Sequence, residues 1–298
     1  MLTMAGALLR RYLNEGQRHR LWKLRARTMS LCTRVSTAVF DLFPISLAAS
    51  IKEGIKITGQ LDYPDSDIWM DISSSVQVDR LRACKKEPET IQWLKASMGA
   101  GDTLYDVGAN VGAYSFVAFA VAAGECMVYA FEPSFTTFAA LCENIILNRC
   151  HERVVALPVA LSNKTRLTNF VYSSLAPGAA LHLLEENMHE MAESPSGFSQ
   201  LVLDYRLDDF VLQFDLPRPN LLKLDVDGAE LRVLDGAEKT LSGPQLRSIL
   251  VEVDEAHQSA GKIVSDLERK GFQISSMHAH KGPGTVANYI FERLDNVG

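Results

Sequence analysis

The chain has 298 residues, 47% of them hydrophobic, which is enough to bury one large core with an appended subdomain. Its net charge of −6 argues against bulk electrostatic binding to nucleic acid. The five cysteines are odd in number and form no Cys-x-x-Cys pair, which disfavours zinc ligation and a disulfide framework and favours a reducing cytoplasm.

The amino-terminal residues 1–58 are predicted to form a helical, basic extension of a main domain at residues 59–298. Between residues 1 and 34, eight Lys or Arg side chains stand against the single acid Glu15, a local charge of +7 (8 − 1). Such helices pack on the main domain or on a second copy in a homo-oligomer, or they rest on anionic lipid. The first interpretation is favoured because the apolar positions do not form one clean stripe. No apolar run reaches the roughly 18 residues of a spanning helix, so the expected location is cytoplasmic, with peripheral membrane contact through 1–34 as the alternative.

Two short features precede the main domain's regular pattern. Residues 59–78 alternate loosely between polar and apolar side chains, which predicts a hairpin or an edge strand. Glu87-Pro88-Glu89-Thr90 then predicts a helix start, because proline suits the first helical position and acids suit the positive end of the helix dipole.

From Thr103 onward, strand patterns alternate with helix patterns, which is typical of a mostly parallel sheet covered on both faces. The predicted strands are 103–108, 127–132, 154–161, 220–226, 248–253, 272–278 and 287–292. The predicted helices are 112–123, 135–148, 229–241 and 259–270. No helix separates the last two strands, which flank Lys281-Gly282-Pro283-Gly284, so the final strand is expected to run antiparallel.

The turn after the first of these strands has the form of a nucleotide-binding loop. Tyr105-Asp106-Val107-Gly108-Ala109-Asn110-Val111-Gly112 places Gly108 and Gly112 around Asn110. A dinucleotide fingerprint requires glycine where Asn110 stands, to let the backbone approach a pyrophosphate. Asparagine instead tolerates left-handed geometry, and Asp106 would repel phosphate but suit an ammonium group.

Glu132 ends the next strand, at the distance where an acid accepts hydrogen bonds from both ribose hydroxyls. An adenosine that carries an amino acid, S-adenosyl-L-methionine, meets all of these requirements. Tyr114 and Ser115 open the following helix, where backbone donors point at the ligand. Ser162, after the third strand, is placed to touch the adenine edge.

Residues 173–200 interrupt the alternation and are predicted to be an inserted lid or acceptor-binding helix, or a surface insertion that packs on the core. Within them, apolar side chains fall at helical spacing at Leu181, Leu184, Met188 and Met191.

The fourth strand carries charges where a buried parallel strand is normally apolar. Lys223, Asp225 and Asp227 alternate with leucine and valine, so all three face one side of the sheet. The spacing of Asp227 and Glu230 predicts a helix cap for both. Asp225 is therefore the predicted general base or acceptor-positioning carboxylate, with Lys223 as its charge partner; the alternative is a structural ion pair.

A second acidic group ends the fifth strand and comprises Glu252, Asp254 and Glu255, followed by His257. His257 is an alternative base because histidine titrates near neutral pH. Together with Asp225, the acids could hold Mg²⁺, but strand-end acids are more commonly solvated, so no metal ligand is assigned.

Three motifs occur in order and resemble the FkbM family of S-adenosylmethionine-dependent methyltransferases. They are Asp106-Val-Gly108-Ala-Asn110-Val-Gly112-Ala-Tyr114-Ser115, Phe131-Glu132-Pro133 and Lys223-Leu-Asp225-Val-Asp227-Gly228-Ala-Glu230. The resemblance covers roughly residues 61–293, and the family usually has glutamate where Asp227 stands. It implies a Rossmann-like class I methyltransferase fold, cofactor contacts at Asp106, Gly108, Asn110, Gly112, Glu132 and Pro133, and methylation of a hydroxyl.

The predicted activity is thus O-methylation of a saccharide, a glycolipid precursor or a natural product. The first alternative is a nicotinamide-dependent oxidoreductase, which Asn110 and Asp106 disfavour. The second is a non-catalytic scaffold that docks through its basic amino-terminal arm.

Overall fold

The computed structural model describes residue 28 and residues 30–40, 42–180, 182–184, 198–280 and 284–294. The chain divides into two compact units, Met1–Lys56 and Ile57–Gly298, next to the boundary predicted at residue 58. In the first unit, residues 30–40 form helix α1 and Ile45–Gly54 form helix α2, whereas residues 1–27 lie outside the described residues. No helix among the described residues is both long and apolar enough to cross a membrane.

The second unit begins with the predicted hairpin and helix start. Strands β1 and β2 pair antiparallel, and a capping box between Ser74 and Gln77 starts the next helix. Pro88 occupies the first turn of α5, as its fixed backbone angle favours. The elements are β1 (Thr58–Gln60), β2 (Trp69–Asp71), α3 (Ser75–Arg80), α4 (Ala83–Lys86) and α5 (Pro88–Ser97).

A seven-stranded sheet forms the centre of this unit, in the order β12-β13-β11-β10-β3-β4-β5. Its strands are β3 (Thr103–Val107), β4 (Met127–Phe131), β5 (Val154–Leu157), β10 (Leu221–Leu224), β11 (Ser248–Asp254), β12 (Phe272–Ala279) and β13 (Val286–Arg293). Neighbouring strands are parallel, except that β13 runs antiparallel between β11 and β12. The mixed α/β fold and the antiparallel last strand are as the sequence predicts.

Helices cover both faces of the sheet, and alternate strand residues face opposite cores. Leu104 belongs to the core beneath α5, α6 (Ala113–Val121) and α7 (Phe135–Leu147), whereas Tyr105 belongs to the other core. That second core lies beneath α8 (Leu207–Gln213), α9 (Glu230–Asp235), α10 (Glu238–Ser242) and α11 (Ala260–Arg269). Burial on both faces explains the nearly continuous apolar runs of these strands.

Two predicted elements are each divided in the structure. The strand predicted at 154–161 ends at Leu157, because Pro158 has no N–H to continue the ladder, and resumes as β6 (Ala160–Ser162) in a second sheet. The helix predicted at 229–241 breaks at Gly236, where a Cβ atom would lie 2.0 Å from the Ser162 carbonyl oxygen. The helix is interrupted there because β6 packs directly against it.

A second sheet, which the sequence pattern does not predict, has the order β6-β9-β7-β8. Its other strands are β7 (Arg166–Val171), β8 (Leu183–Leu184) and β9 (Ser199–Arg206). The helix predicted within 173–200 is therefore wrong at Leu184, because the edge of β7 offers backbone partners and Val171 and Phe170 pair with Leu183 and Leu184. Leu181, Met188 and Met191 lie outside the described residues.

Gly108 is required by a close approach of two loops. Its φ is +80°, and a Cβ atom there would lie 1.8 Å from the Asp225 carbonyl oxygen.

Gly101 provides a control for this close approach. It has a similar φ of +82°, but a Cβ atom built there would have no heavy atom of another residue within 4 Å. We expect Gly101→Ala to cost about 1–2 kcal/mol of unfolding free energy, the price of left-handed backbone alone. Gly108→Ala should cost clearly more, as measured by urea denaturation; equal losses would contradict the close approach.

Candidate active site

A cavity of about 370 Å³ opens at the carboxyl ends of β3, β4, β10 and β11. Ligands of open α/β sheets bind at this edge, and the size suits a small molecule. Helices α3 and α4 and the loop before β8 close its other side. Its lining includes Val76, Asp79, Arg80, Ala83, Lys86, Glu87, Gly108–Val111, Ala113, Tyr114, Glu132, Pro133, Phe170, Ala179, Ala180, His182, Lys223, Asp225–Asp227 and Glu252.

Lys223 is the buried centre of the site, with only 1% of its surface exposed. Its Nζ lies 3.3 Å from Asp225 Oδ2, 3.6 Å from Asp106 Oδ1 and 5.1 Å from the centre of the Tyr114 ring. Burial opposes the charge, but Asp225, Asp106 and Glu87 outweigh it and raise the pKa of Lys223. Burial likewise opposes ionisation of Asp225, but Lys223 holds the pKa of that carboxyl below its usual value. The pair is therefore ionised at neutral pH.

Glu132 lies at the end of β4 and is 6% exposed. Its two carboxylate oxygens accept backbone N–H groups, Oε2 from Asn110 at 3.0 Å and Oε1 from Ser134 at 2.9 Å. Burial raises the pKa of Glu132 to about 7 despite these donors. Asn110 has a φ of +51°, the left-handed geometry that the sequence predicts, and its Nδ2 donates to the Ala179 carbonyl.

Asp225, Asp227 and Glu252 form an acidic group in which one oxygen of each lies within 4.8 Å of the others. Burial, together with Asp225, raises the pKa of Glu252 to about 9. The two further acids considered for Mg²⁺ have other partners. Asp254 accepts from Ala256 N and Thr285 Oγ1, and Glu255 accepts from Tyr289 Oη at 2.8 Å. The cluster of acids therefore differs from the predicted one by exchanging these two for Asp227.

Comparison with known proteins identifies the family to which this chain belongs. The family model described as the methyltransferase FkbM domain matches residues 106–274, more than half of the chain. This chain belongs to the FkbM methyltransferase family. Because family and relatives agree, the protein is a methyltransferase, and the oxidoreductase and scaffold alternatives are not supported.

Two relatives are named for their reactions. The chain is 29% identical over 212 residues to a 31-O-demethyl-FK506 methyltransferase from Streptomyces tacrolimicus, covering 65% of this chain and 81% of that one. It is 28% identical to a hexuronic acid methyltransferase from Haloferax volcanii, covering 61% and 68%. Among solved structures, a methyltransferase FkbM from Methylobacillus flagellatus is 12% identical with a TM-score of 0.47, and the match spans 70% of this chain and 60% of that protein's length.

The cavity described above is lined by seven of the twelve residues that the sequence predicts for the site. They are Gly108, Asn110, Tyr114, Glu132, Pro133, Lys223 and Asp225. The other five, Asp106, Gly112, Ser115, Ser162 and His257, are outside its lining.

Three of those five support the site from behind. Asp106 is fully buried; Ser115 Oγ donates to its Oδ2 at 2.6 Å and Lys223 Nζ lies 3.6 Å from its Oδ1. Its carboxylate therefore faces protein partners and not the cavity where a cofactor's amino group was predicted. Gly112, with a φ of +91°, starts α6, and a Cβ atom there would approach Leu141 Cδ1 to 2.6 Å.

Ser162 and His257 do not match their predicted surroundings. Ser162 is 1% exposed and its Oγ donates to Asp204 Oδ2 at 2.7 Å, because β6 pairs with β9 and turns this side chain into the second sheet. His257 Nδ1 lies 2.6 Å from Ser259 Oγ in the loop before α11, away from the cavity.

The predicted cap of α9 is half correct. Glu230 Oε1 accepts the N–H groups of Val226 and Gly228, at 3.0 and 3.1 Å, and burial raises the pKa of Glu230 to about 7. Asp227 is not the N-cap, which is Ala229; it has a φ of +51° and lines the cavity.

The cavity also includes polar and aromatic residues outside the predicted set. Glu87 is 5% exposed and pairs with Lys86 at 2.7 Å; its sequence signals were a helix start at Pro88 and the resemblance of residues 86–90 to the FkbM family. Arg80 donates to the Gly178 carbonyl from Nε and Nη2, at 3.0 and 2.8 Å. Phe170 lies on β7 and His182 directly precedes β8, in a second sheet that no sequence pattern indicated.

Proposed function

We propose that this FkbM-family methyltransferase uses S-adenosyl-L-methionine to methylate a hydroxyl group of a saccharide, a glycolipid precursor or a natural product. The observation that carries the proposal is the charge of the cavity. Six acids line it (Asp79, Glu87, Glu132, Asp225, Asp227 and Glu252) against three bases (Arg80, Lys86 and Lys223). Burial keeps Glu252 protonated and Glu132 partly protonated at neutral pH, and the ionised acids still outnumber the bases. An acidic cavity favours a cationic cofactor and disfavours a pyrophosphate.

The residues around the first turn fit the proposed cofactor. The proposal assigns both ribose hydroxyls to Glu132, whose carboxylate lines the cavity at the end of β4. It assigns no phosphate to Gly108, which lies against the Asp225 carbonyl. Carboxylates of the cavity would offset the positive charges that the cofactor carries on its ammonium and sulfonium groups. When bound, S-adenosyl-L-methionine supplies a methyl group on a positively charged sulfur.

The transfer then requires that the acceptor be positioned and lose a proton. Asp225 accepts a hydrogen bond from the acceptor hydroxyl at Oδ2, the oxygen that faces Lys223. Asp225 would take up the proton that the acceptor hydroxyl loses on methylation and release it to solvent. Lys223 fixes the orientation of the carboxylate.

The acceptor class is supported by the names of the relatives, which act on a hexuronic acid and on 31-O-demethyl-FK506. Carboxylates in the cavity can accept hydrogen bonds from several hydroxyls, as a saccharide requires. No metal ligand is assigned, and membrane contact through residues 1–34 and a homo-oligomer remain predictions.

Replacing Glu132 with glutamine should weaken binding of S-adenosylhomocysteine by about 10- to 150-fold, the value of hydrogen bonds to a charged group. Glutamine keeps an acceptor for one backbone N–H, which limits damage to the turn. Calorimetric titration with S-adenosylmethionine, S-adenosylhomocysteine and NAD⁺ measures the effect. The matched control is Glu143→Gln, on an exposed position of α7.

The pH dependence of ligand binding provides a second test of the role of Glu132. Because the pKa of Glu132 is raised to about 7, its ionised form accumulates between pH 6 and 8, and wild-type affinity should rise over that range. The glutamine variant should lack this component. Binding of NAD⁺ alone, or of no adenosyl ligand, would refute the proposed cofactor.

A further inference from the structure

His182 is a cavity residue whose hydrogen-bonding capacity is only half used. It is 9% exposed, and its ring packs against Phe170 and Tyr172 with centroid distances of 5.6 and 5.1 Å. Its Nδ1 accepts the backbone N–H of Ser173 at 3.1 Å. Among the residues that the structure describes, Nε2 is buried and has no hydrogen-bond partner.

These contacts determine the tautomer. Burial lowers the pKa of His182 to about 4, so the ring is neutral at pH 7. A neutral imidazole has one N–H, and the nitrogen that accepts from Ser173 cannot carry it. Nε2 is therefore a donor, and a buried donor without an acceptor is costly unless a ligand supplies one.

The residue His182 lines the boundary between two compartments. A side chamber adjoins the main cavity and shares its walls at Gly108, Pro133, Phe170, His182 and Val226. The remaining walls of the chamber are apolar and comprise Val107, Phe131, Val159, Ala160, Leu161, Leu184 and Ala229.

The two compartments suit the two ends of a nucleoside that carries a charged chain. Glu132 precedes the shared wall at Pro133, so a ribose on Glu132 would have the apolar chamber on one side and the acids of the main cavity on the other. A planar, uncharged base is stabilised by apolar walls, whereas an ammonium group is stabilised by carboxylates.

We propose that His182 Nε2 donates a hydrogen bond to a ring nitrogen of the cofactor's adenine and thereby helps to select that base. The inference rests on the proposed function, because it takes the ligand of Glu132 to be an adenosyl compound. Adenine offers acceptor nitrogens at its N1, N3 and N7 positions, any one of which can satisfy Nε2.

The test compares S-adenosylhomocysteine with its 1-deaza, 3-deaza and 7-deaza analogues, in which one ring nitrogen is replaced by carbon. Wild type should bind one analogue about tenfold more weakly than the parent, the effect of leaving a buried donor unsatisfied. The His182→Asn variant keeps an acceptor near Ser173 but withdraws the donor. It should bind the parent about tenfold more weakly and no longer distinguish that analogue.

Two further variants control for structure. His182→Gln extends an amide N–H toward the position of Nε2 and should recover part of the discrimination, whereas His151→Asn, in an exposed turn, should behave as wild type. Equal wild-type binding of all four ligands, or unchanged discrimination in His182→Asn, would overturn the assignment. If wild type binds no adenosyl ligand at all, the proposed cofactor fails and this inference with it.

Discussion

Replacing Asp225 with asparagine should lower kcat by about 10²- to 10⁴-fold, the range for removing a general base, while binding of S-adenosylhomocysteine stays near wild type. Asparagine keeps the size of the side chain but cannot take up the acceptor's proton. Lys223 would retain Asp106 and Glu87 as charged neighbours, so the site should remain assembled. Initial rates with a saccharide acceptor, paired with calorimetry, measure the two quantities separately.

Two comparison variants make the result specific to Asp225. Asp235→Asn removes a carboxylate of α9 that pairs with Lys262 at the surface, and it should leave kcat unchanged. Asp227→Asn removes a charge from the same acidic group without removing the proposed base. If Asp227→Asn slowed turnover as much as Asp225→Asn, the collective charge of the group would explain the loss, and the base assignment would be wrong.

The second large effect concerns stability: Lys223→Met should reduce the free energy of unfolding by about 3–5 kcal/mol. Methionine fits the space of the lysine stem, but it leaves Asp106, which is fully buried, and Asp225 without their counter-charge. Removing one partner of a buried ion pair is costly because the other charge remains desolvated. Urea denaturation at pH 7 measures the loss.

A double variant isolates the cause. Adding Asp106→Asn to Lys223→Met should recover part of the stability, because the uncompensated charge next to methionine is removed. The surface control Lys262→Met, whose side chain is 53% exposed, should change stability by less than about 1 kcal/mol. No recovery in the double variant would mean that packing, rather than charge, accounts for the loss.

The sign of the pH dependence follows from the two pKa shifts. The pKa of Lys223 is raised above 10.5, so its contribution is complete below that value and is lost as the pH rises through the folded-state pKa. The pKa of Asp225 is lowered below 3.8, so its contribution is complete above that value and is lost as the pH falls. The wild-type pair therefore contributes fully between pH 5 and 9. In Lys223→Met, burial acts on Asp225 without the lysine and raises its pKa, so the stability difference between wild type and variant should shrink as the pH falls.

The sequence by itself determined the local features of this protein. The nearly continuous apolar runs of the strands and the helical spacing between them predict the sheet and its helices, because burial on both faces of a parallel sheet selects apolar strands. The Gly108-Asn110-Gly112 turn and Glu132 at the next strand end were also predictable, since turn geometry and strand ends depend on residues close in the chain. Lys223 beside Asp225 follows from the period of two within a strand.

Only the tertiary structure decided which side chains share a compartment. The second sheet joins β6 to β9 and brings Phe170 and His182 to the cavity, contacts between segments far apart in the chain. Asp106 and Ser115 face each other behind the site, and Glu252 replaces its neighbours Asp254 and Glu255 in the acidic group. A sequence pattern indicates which face of its own helix or strand a residue occupies. What lies opposite that face is set by packing between elements, which local periodicity does not contain.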